Sequence, residues 1–147
     1  MNVPDSLDTH IPEKPTISGN VYMLLSIYIS NQISQELNSE SSRIFKQAVN
    51  YMKNNISTSL TITDVAEHCC ISATGLKTLF ASYAGLGVHK YFLKLKINLA
   101  TKLLEQGTSV NVVADRLGFS GQAYFSAAYK RETGRSPSDV SKYSKIQ

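Results

Sequence analysis

A chain of 147 residues, 42% of them hydrophobic, holds enough apolar material for one packed domain, or for a smaller domain with an arm. Its net charge of +4 is unevenly placed: residues 1–40 carry one lysine against five acids, and residues 41–147 carry fourteen basic against six acidic side chains. The basic part suits an anionic partner. The apolar run Val21–Ile29 is too short to cross a bilayer and lacks the basic flank of a secretory signal, which excludes both and predicts a cytoplasmic protein.

In chain order, residues 1–20 hold Pro4, Pro12, Pro15 and Gly19 without apolar periodicity and read as an arm or linker. Residues 20–37 favour a helix over a strand: Val21, Leu24, Leu25 and Tyr28 fit one face, which Ile33 and Leu37 continue. That stripe is expected to dock on the domain or to pair two chains. Ser41 or Ser42 is expected to cap a second helix ending near Asn54, with Ile44, Phe45, Ala48, Val49 and Met52 on its inner face.

From Leu60 onward the chain reads as short helices with explicit punctuation. Thr61 to Asp64 is a capping-box variant ahead of Val65, Ala66 and Cys69. Ser72 caps a helix with Leu76, Leu79, Phe80 and Tyr83 inward, ending at Gly85. A longer helix over about 88–106 turns Tyr91, Phe92, Leu95, Leu99, Leu103 and Leu104 inward and ends at Gly107. Ser109 caps a short helix with Val110, Val113, Ala114 and Leu117 inward, and Gly118 makes a turn. The next helix buries Phe125, Ala128 and Tyr129 until Gly134, and Ser136 with Pro137 opens a closing helix to about Tyr143. No strand is predicted after residue 40, so the fold class is all-α. The adjacent Cys69 and Cys70 cannot staple distant parts of a fold. With His68 they lack a second ligand cluster, so core packing outweighs a metal or nucleophile role. No phosphate loop or paired-carboxylate constellation argues for catalysis or a cofactor.

Two stretches match each other. In 66-AEHCCISATGLKTLFASYAG-85 and 114-ADRLGFSGQAYFSAAYKRETG-134, Ala66 aligns with Ala114 and Ser72 with Ser120. After one extra residue in the second copy, Leu76 aligns with Phe125, Phe80 with Tyr129 and Gly85 with Gly134. Each copy is a short helix, a turn and a longer helix, with a small residue where the two helices approach: a helix-turn-helix, present twice. The residues 114–139, ADRLGFSGQAYFSAAYKRETGRSPSD, and DVAEHCCISATGLKTLF with YFLKLKINLATKLLEQG, resemble the DNA-binding domain of the AraC/XylS family of bacterial transcription regulators. Departures are Lys96 where the family usually has Arg, Val112 where it has an acid, and Gly87 where it has a capping Ser or Thr.

The resemblance implies two homeodomain-like helix-turn-helix subdomains, at about 61–84 and 109–133, joined by the helix at 88–106 and followed by the closing helix at 136–143. Together they form a DNA-binding domain over 41–147, with 1–40 an arm or linker that includes a dimerisation helix at 20–37. Core positions of the signature fall on Ala66, Leu76, Phe80, Ala114, Gly118, Phe119, Phe125, Tyr129, Gly134 and Pro137. Family base-contact positions fall on Thr74, Lys77, Thr78, Gln122 and Ala123, with Ser126 on the same outward face, and Lys96, Lys130 and Arg131 are expected at phosphates. Lys90, Lys94 and Lys102 serve equally well as phosphate contacts or as a solvated face. The implied partners are double-stranded DNA, RNA polymerase and a second copy through 20–37, with no membrane, metal or cofactor and no enzymatic activity. The leading function is a sequence-specific transcription regulator, an activator as many relatives are. The competing one is a protein-interaction or anti-regulator module, because Ala123 and Ala127 leave the second reading face poor in hydrogen-bonding groups.

Overall fold

The structure, a computed structural model, describes the backbone of residues 14–144 and the side chains of residues 19–142. The arm expected over residues 1–13 lies outside the described residues. Seven α-helices order the described chain, with no strand among the described residues, in agreement with the all-α reading.

The first helix, α1, runs Lys14–Asn54, and two expectations fail on it. Residues 14–20 are already helical, so the helix expected from residue 20 begins earlier: Pro15 stands in the first turn, where a missing N–H costs nothing and the fixed φ suits a helix. Nor does the helix restart at Ser41 or Ser42. No Gly or Pro stands between residues 20 and 54 to stop propagation, and both serines lie mid-helix, half-buried. The chain divides into two units, Met1–Glu40 and Ser41–Gln147. Every described side chain of the first unit is exposed. Val21, Leu24, Leu25 and Tyr28 are 48–67% exposed. Residues 21–25 and 27–29 are all apolar, so at about 100° per residue they surround the helix and do not form a single stripe.

The second unit holds the end of α1 and six helices: α2 (Ile62–His68), α3 (Ala73–Ala84), α4 (Val88–Glu105), α5 (Val110–Arg116), α6 (Gln122–Thr133) and α7 (Pro137–Ser144). Two cores form. The first gathers Ala48 and Met52 of α1, Val65 and Ala66 of α2, Leu76 and Phe80 of α3, and Val88 and Phe92 of α4, with Cys69 buried among them. The second gathers Ile97, Ala100 and Leu104 of α4, Val113 and Ala114 of α5, and Phe125 and Tyr129 of α6. Ile56, in the loop after α1, packs against both. Tyr83 departs from its expected inward place: it is 41% exposed and stacks on Phe45 with ring centroids 5.3 Å apart, covering the first core from outside.

Local chemistry sets the helix starts. Thr61 and Asp64 exchange hydrogen bonds: the Thr61 N–H donates to Asp64 Oδ2 (2.8 Å), and the Asp64 N–H donates to Thr61 Oγ1 (3.1 Å). Ser72 Oγ accepts from the Gly75 N–H, and Ser136 Oγ from the Asp139 N–H. Ser109 occupies its cap position without a side-chain bond. The turn inside each copy needs a left-handed residue: Gly118 at φ 66° in the second and, at the aligned position, Cys70 at φ 56° in the first. Gly118 is constrained twice, because a Cβ there would collide with the carbonyl of Ser57.

Two outcomes follow from these turns and caps. Gly118→Ala meets both the left-handed backbone and the Ser57 carbonyl, so urea unfolding should show a loss of more than about 2 kcal/mol. Cys70→Gly, which only relieves a backbone preference, should be neutral or stabilising by up to about 1 kcal/mol. Equal effects at the two sites would remove Ser57 from the explanation. At Asp64, the Thr61 backbone N–H and then its hydroxyl hold the carboxyl below the ordinary aspartate value of 3.8. A depressed folded pKa gives stability that is complete above the unfolded value and lost as pH falls through the folded one. Asp64→Asn should therefore be less stable than the parent near pH 7, and the gap should close as pH drops below about 4. A gap of constant size over that range would rule out the carboxylate as its source.

Candidate nucleic-acid interface

The second helix of each copy shows a buried face and a polar one. On α3, Leu76 and Phe80 are fully buried and Leu79 half-buried, which leaves Thr74, Lys77 and Thr78 exposed, with Ala73 half-buried at the start. Thr78 Oγ1 donates to the Thr74 carbonyl at 3.1 Å, so its hydroxyl proton is held by the helix and its methyl is left for apolar contact. Lys77 forms no ion pair among the described residues.

On α6, Phe125, Ala128 and Tyr129 are buried, and Gln122, Ala123 and Ala127 are exposed. Ser126, expected with the outward set, is half-buried. The extra residue of the second copy has a structural consequence. It makes Gly121 the N-cap in place of Ser120, and α6 begins without a side-chain cap, whereas Ser72 caps α3. The leading N–H groups of α6 are thereby left for water or an anion. Phe119 fills the turn beneath, its ring 5.0 Å from that of Phe125, and Tyr124 lies at the edge, 57% exposed.

The basic residues separate into groups that the sequence did not distinguish. Lys130, Arg131, Lys94 and Lys102 are exposed. Lys90 is engaged: its Nζ lies 3.2 Å from Glu132 Oε1, which Arg131 Nε also approaches at 3.7 Å. The Glu132 side chain is only 7% exposed, so it ties the end of α6 to the start of α4. Sequence reasoning missed it, since the partners lie 42 residues apart and no local pattern links them. Lys96 departs from the expectation of an outward phosphate contact. It is 7% exposed, with Nζ 4.8 Å from the Phe92 ring centre and 5.4 Å from that of Phe119. The side chain is buried with its ammonium against two aromatic rings, and desolvation pushes that ammonium below the ordinary lysine value.

A polar link also fixes α6 from within. Thr101 Oγ1 donates to the Ile97 carbonyl (3.0 Å) and lies 2.9 Å from Tyr129 Oη. The threonine's only hydroxyl proton is spent on Ile97, so Tyr129 is the donor to Thr101. Elsewhere, the His68 ring stacks on Tyr51 at 4.0 Å. No grouping of three or more His, Cys, Asp or Glu suited to a metal occurs among the described residues. No helix among them is long and apolar enough to cross a membrane. The outward faces of α3 and α6, both carried on α4, thus form a surface of small polar, apolar and cationic groups suited to base edges and phosphates.

Comparison with known proteins agrees with this geometry. The family described as "Helix-turn-helix domain" matches residues 65–143. The Raffinose operon transcriptional regulatory protein RafR of Pediococcus pentosaceus is 31% identical over 139 residues, which is 94% of this chain and 50% of that protein. The chain spans half or less of the length of curated relatives such as this one. Among solved structures, a transcriptional regulator from Chromobacterium violaceum, described by AraC-type DNA-binding domain-containing proteins, superposes with a TM-score of 0.67 at 30% identity, covering 72% of this chain and 96% of that one. The DNA-binding domain of AdpA, solved with a target DNA, shares the fold, with a TM-score of 0.63 at 20% identity over 69% of this chain and 92% of its own.

Proposed function

The chain belongs to the AraC-type helix-turn-helix family of transcription regulators, and we propose that it binds specific duplex DNA by laying α3 and α6 into successive major grooves. The family is one of regulators, not of enzymes. The observation that carries the reading is that two recognition helices with outward polar faces pack on one helix. α4 has 18 residues and is therefore about 27 Å long, on the scale of one DNA turn of roughly 34 Å. Lys77 is assigned to guanine, Gln122 to adenine, and the methyls of Thr74, Thr78 and Ala123 to thymine, with Ser126 at the margin of the contact. Lys130 and Arg131 are assigned to phosphates. The regulator is assigned as an activator that presents a further surface to RNA polymerase. If α6 read no bases, the interaction-module reading would take its place, since Ala123 and Ala127 offer no hydrogen bonds.

The test is selection from random duplexes at stated salt, followed by competition against sites changed one base pair at a time. Lys77→Ala and Gln122→Ala should each cost roughly 1–3 kcal/mol at one base position and leave others unaffected. Lys130→Ala should weaken every sequence alike and lower the log–log salt slope by about one. A Lys77→Ala variant that lost affinity equally for all sequences would remove its base-reading role. The footprint of residues 41–147 should cover about two helical turns, and a footprint over one groove from folded protein would contradict insertion of both helices.

We further propose that residues 20–37 pair two copies, because so much exposed apolar surface favours association. Sedimentation of the full chain should report a dimer, and a 41–147 truncation a stable monomer. Monomers throughout, with lower stability after truncation, would place the apolar surface against its own chain instead.

A further inference from the structure

On the second unit, a groove of about 380 Å³ opens between α1 and the start of α4, lined by Phe45, Lys46, Val49, Asn50, Lys53 and Tyr91. Its composition follows from helical spacing. Phe45 and Val49 stand four residues apart and share one stripe of α1; Lys46, Asn50 and Lys53 form the neighbouring stripe. The floor is the outer edge of the first core, where the Phe45 and Tyr91 rings lie 5.8 Å apart and both touch Phe80. Val49 and Tyr91 are half-buried, whereas Lys46, Asn50 and Lys53 are exposed. Neither lysine forms an ion pair or hydrogen bond among the described residues, and no acidic side chain lines the groove.

We infer that this groove docks an acidic amphipathic helix of a partner protein, a surface separate from the DNA-reading faces of α3 and α6. Three features carry the assignment. The aromatic and aliphatic floor suits an apolar anchor at helical spacing and offers nothing to a phosphate chain. The two unpaired lysines stand seven residues apart, about 10.5 Å along the axis, so they match carboxylates two turns apart on an opposing helix. The third feature is position. Phe80 meets the floor from within, whereas the exposed Thr74, Lys77 and Thr78 of α3 take no part in its lining, which comes from α1 and α4. DNA against that outward face leaves the groove free for a second partner.

The test uses the full chain and a fluorescent helical peptide of about 16 residues with Phe and Leu four apart, flanked by Glu seven apart. Its Lys-for-Glu counterpart and a scrambled sequence serve as controls. Anisotropy should show binding of the acidic peptide only, unchanged when the chain is saturated with its selected duplex. Lys46→Glu with Lys53→Glu should weaken that binding by about tenfold and gain affinity for the Lys peptide, with an unchanged melting curve and unchanged DNA affinity. Amide shifts on peptide addition should centre on Asn50, Lys53 and Tyr91. The proposal is overturned by an acidic peptide that does not bind, or by control peptides that bind equally well. Loss of DNA affinity in the charge-reversed chain would assign the lysines to phosphates. Loss of self-association in that chain would assign the groove to a second copy. Either result overturns the inference.

Discussion

One helix buried on two sides holds the DNA-reading unit together. α4 turns Val88 and Phe92 into the first core and Ile97, Ala100 and Leu104 into the second. At about 100° per residue these two sets point in directions more than a quarter turn apart. Neither helix-turn-helix pair can bury its apolar face alone, since α2 and α5 have seven residues each and α3 and α6 twelve. Each pair needs α4 as its third wall. Because the wall is a single hydrogen-bonded rod, the separation of α3 from α6 follows from its length. Lys96 fits this geometry. It falls between the two buried faces, at a seam where an aliphatic stem is wanted on both sides and a charge is tolerated only over the Phe92 and Phe119 rings.

The attachment of α6 to that rod is polar as well as apolar. The Tyr129 hydroxyl reaches Thr101 within the second core, and Glu132 reaches Lys90 near the rod's other end. A buried hydroxyl without a partner costs on the order of 1–3 kcal/mol, so Tyr129 and Thr101 select one rotation of α6 about its own axis. Glu132 acts differently. Its carboxylate is shielded while Lys90 is 52% exposed, so the pair adds little stability but limits how far the end of α6 can swing. Rotation and tilt of a recognition helix decide which side chains can meet which bases, so on the proposed binding mode these contacts would bear on specificity from behind the interface.

Much of this was legible in the sequence because it is local. The Thr61–Asp64 box, the Ser72 and Ser136 caps, the terminal glycines and the period of Leu76, Phe80, Phe125 and Tyr129 are all set within four residues of one another. The duplication then placed the two halves in register, and the family resemblance pointed to the outward residues. What failed was non-local or depended on competition. Ser41 or Ser42 reads as a cap by residue type, but a cap acts where a helix must begin, and nothing in 20–54 interrupts this one. The burial of Lys96 depends on Phe119 arriving from 23 positions away, and the role of Glu132 on Lys90 from 42. Tyr83 reads as inward by spacing alone, yet Phe45 of α1 takes the inner place and leaves Tyr83 to cover it.

The two copies are alike in fold and unequal as readers. The first copy closes its turn with Cys70 in a left-handed conformation that a side chain adopts at some cost, and it caps α3 with Ser72. Its outward face carries Lys77 and two threonines, groups that discriminate bases by donor and methyl. In the second copy the added residue displaces Ser120 from the cap and leaves the first N–H groups of α6 unclaimed, next to Gln122 and two alanines. Backbone N–H groups at a helix start favour phosphate whatever the sequence, and alanine brings the helix close without choosing among bases beyond a thymine methyl. On the proposed binding mode, the second copy, with Gln122 as its main base-reading group, would lean more on backbone and shape, and the first more on base edges. A rigid α4 would make that division workable, because on the proposed binding mode the position at which α6 met the backbone would fix the base pairs set before Lys77.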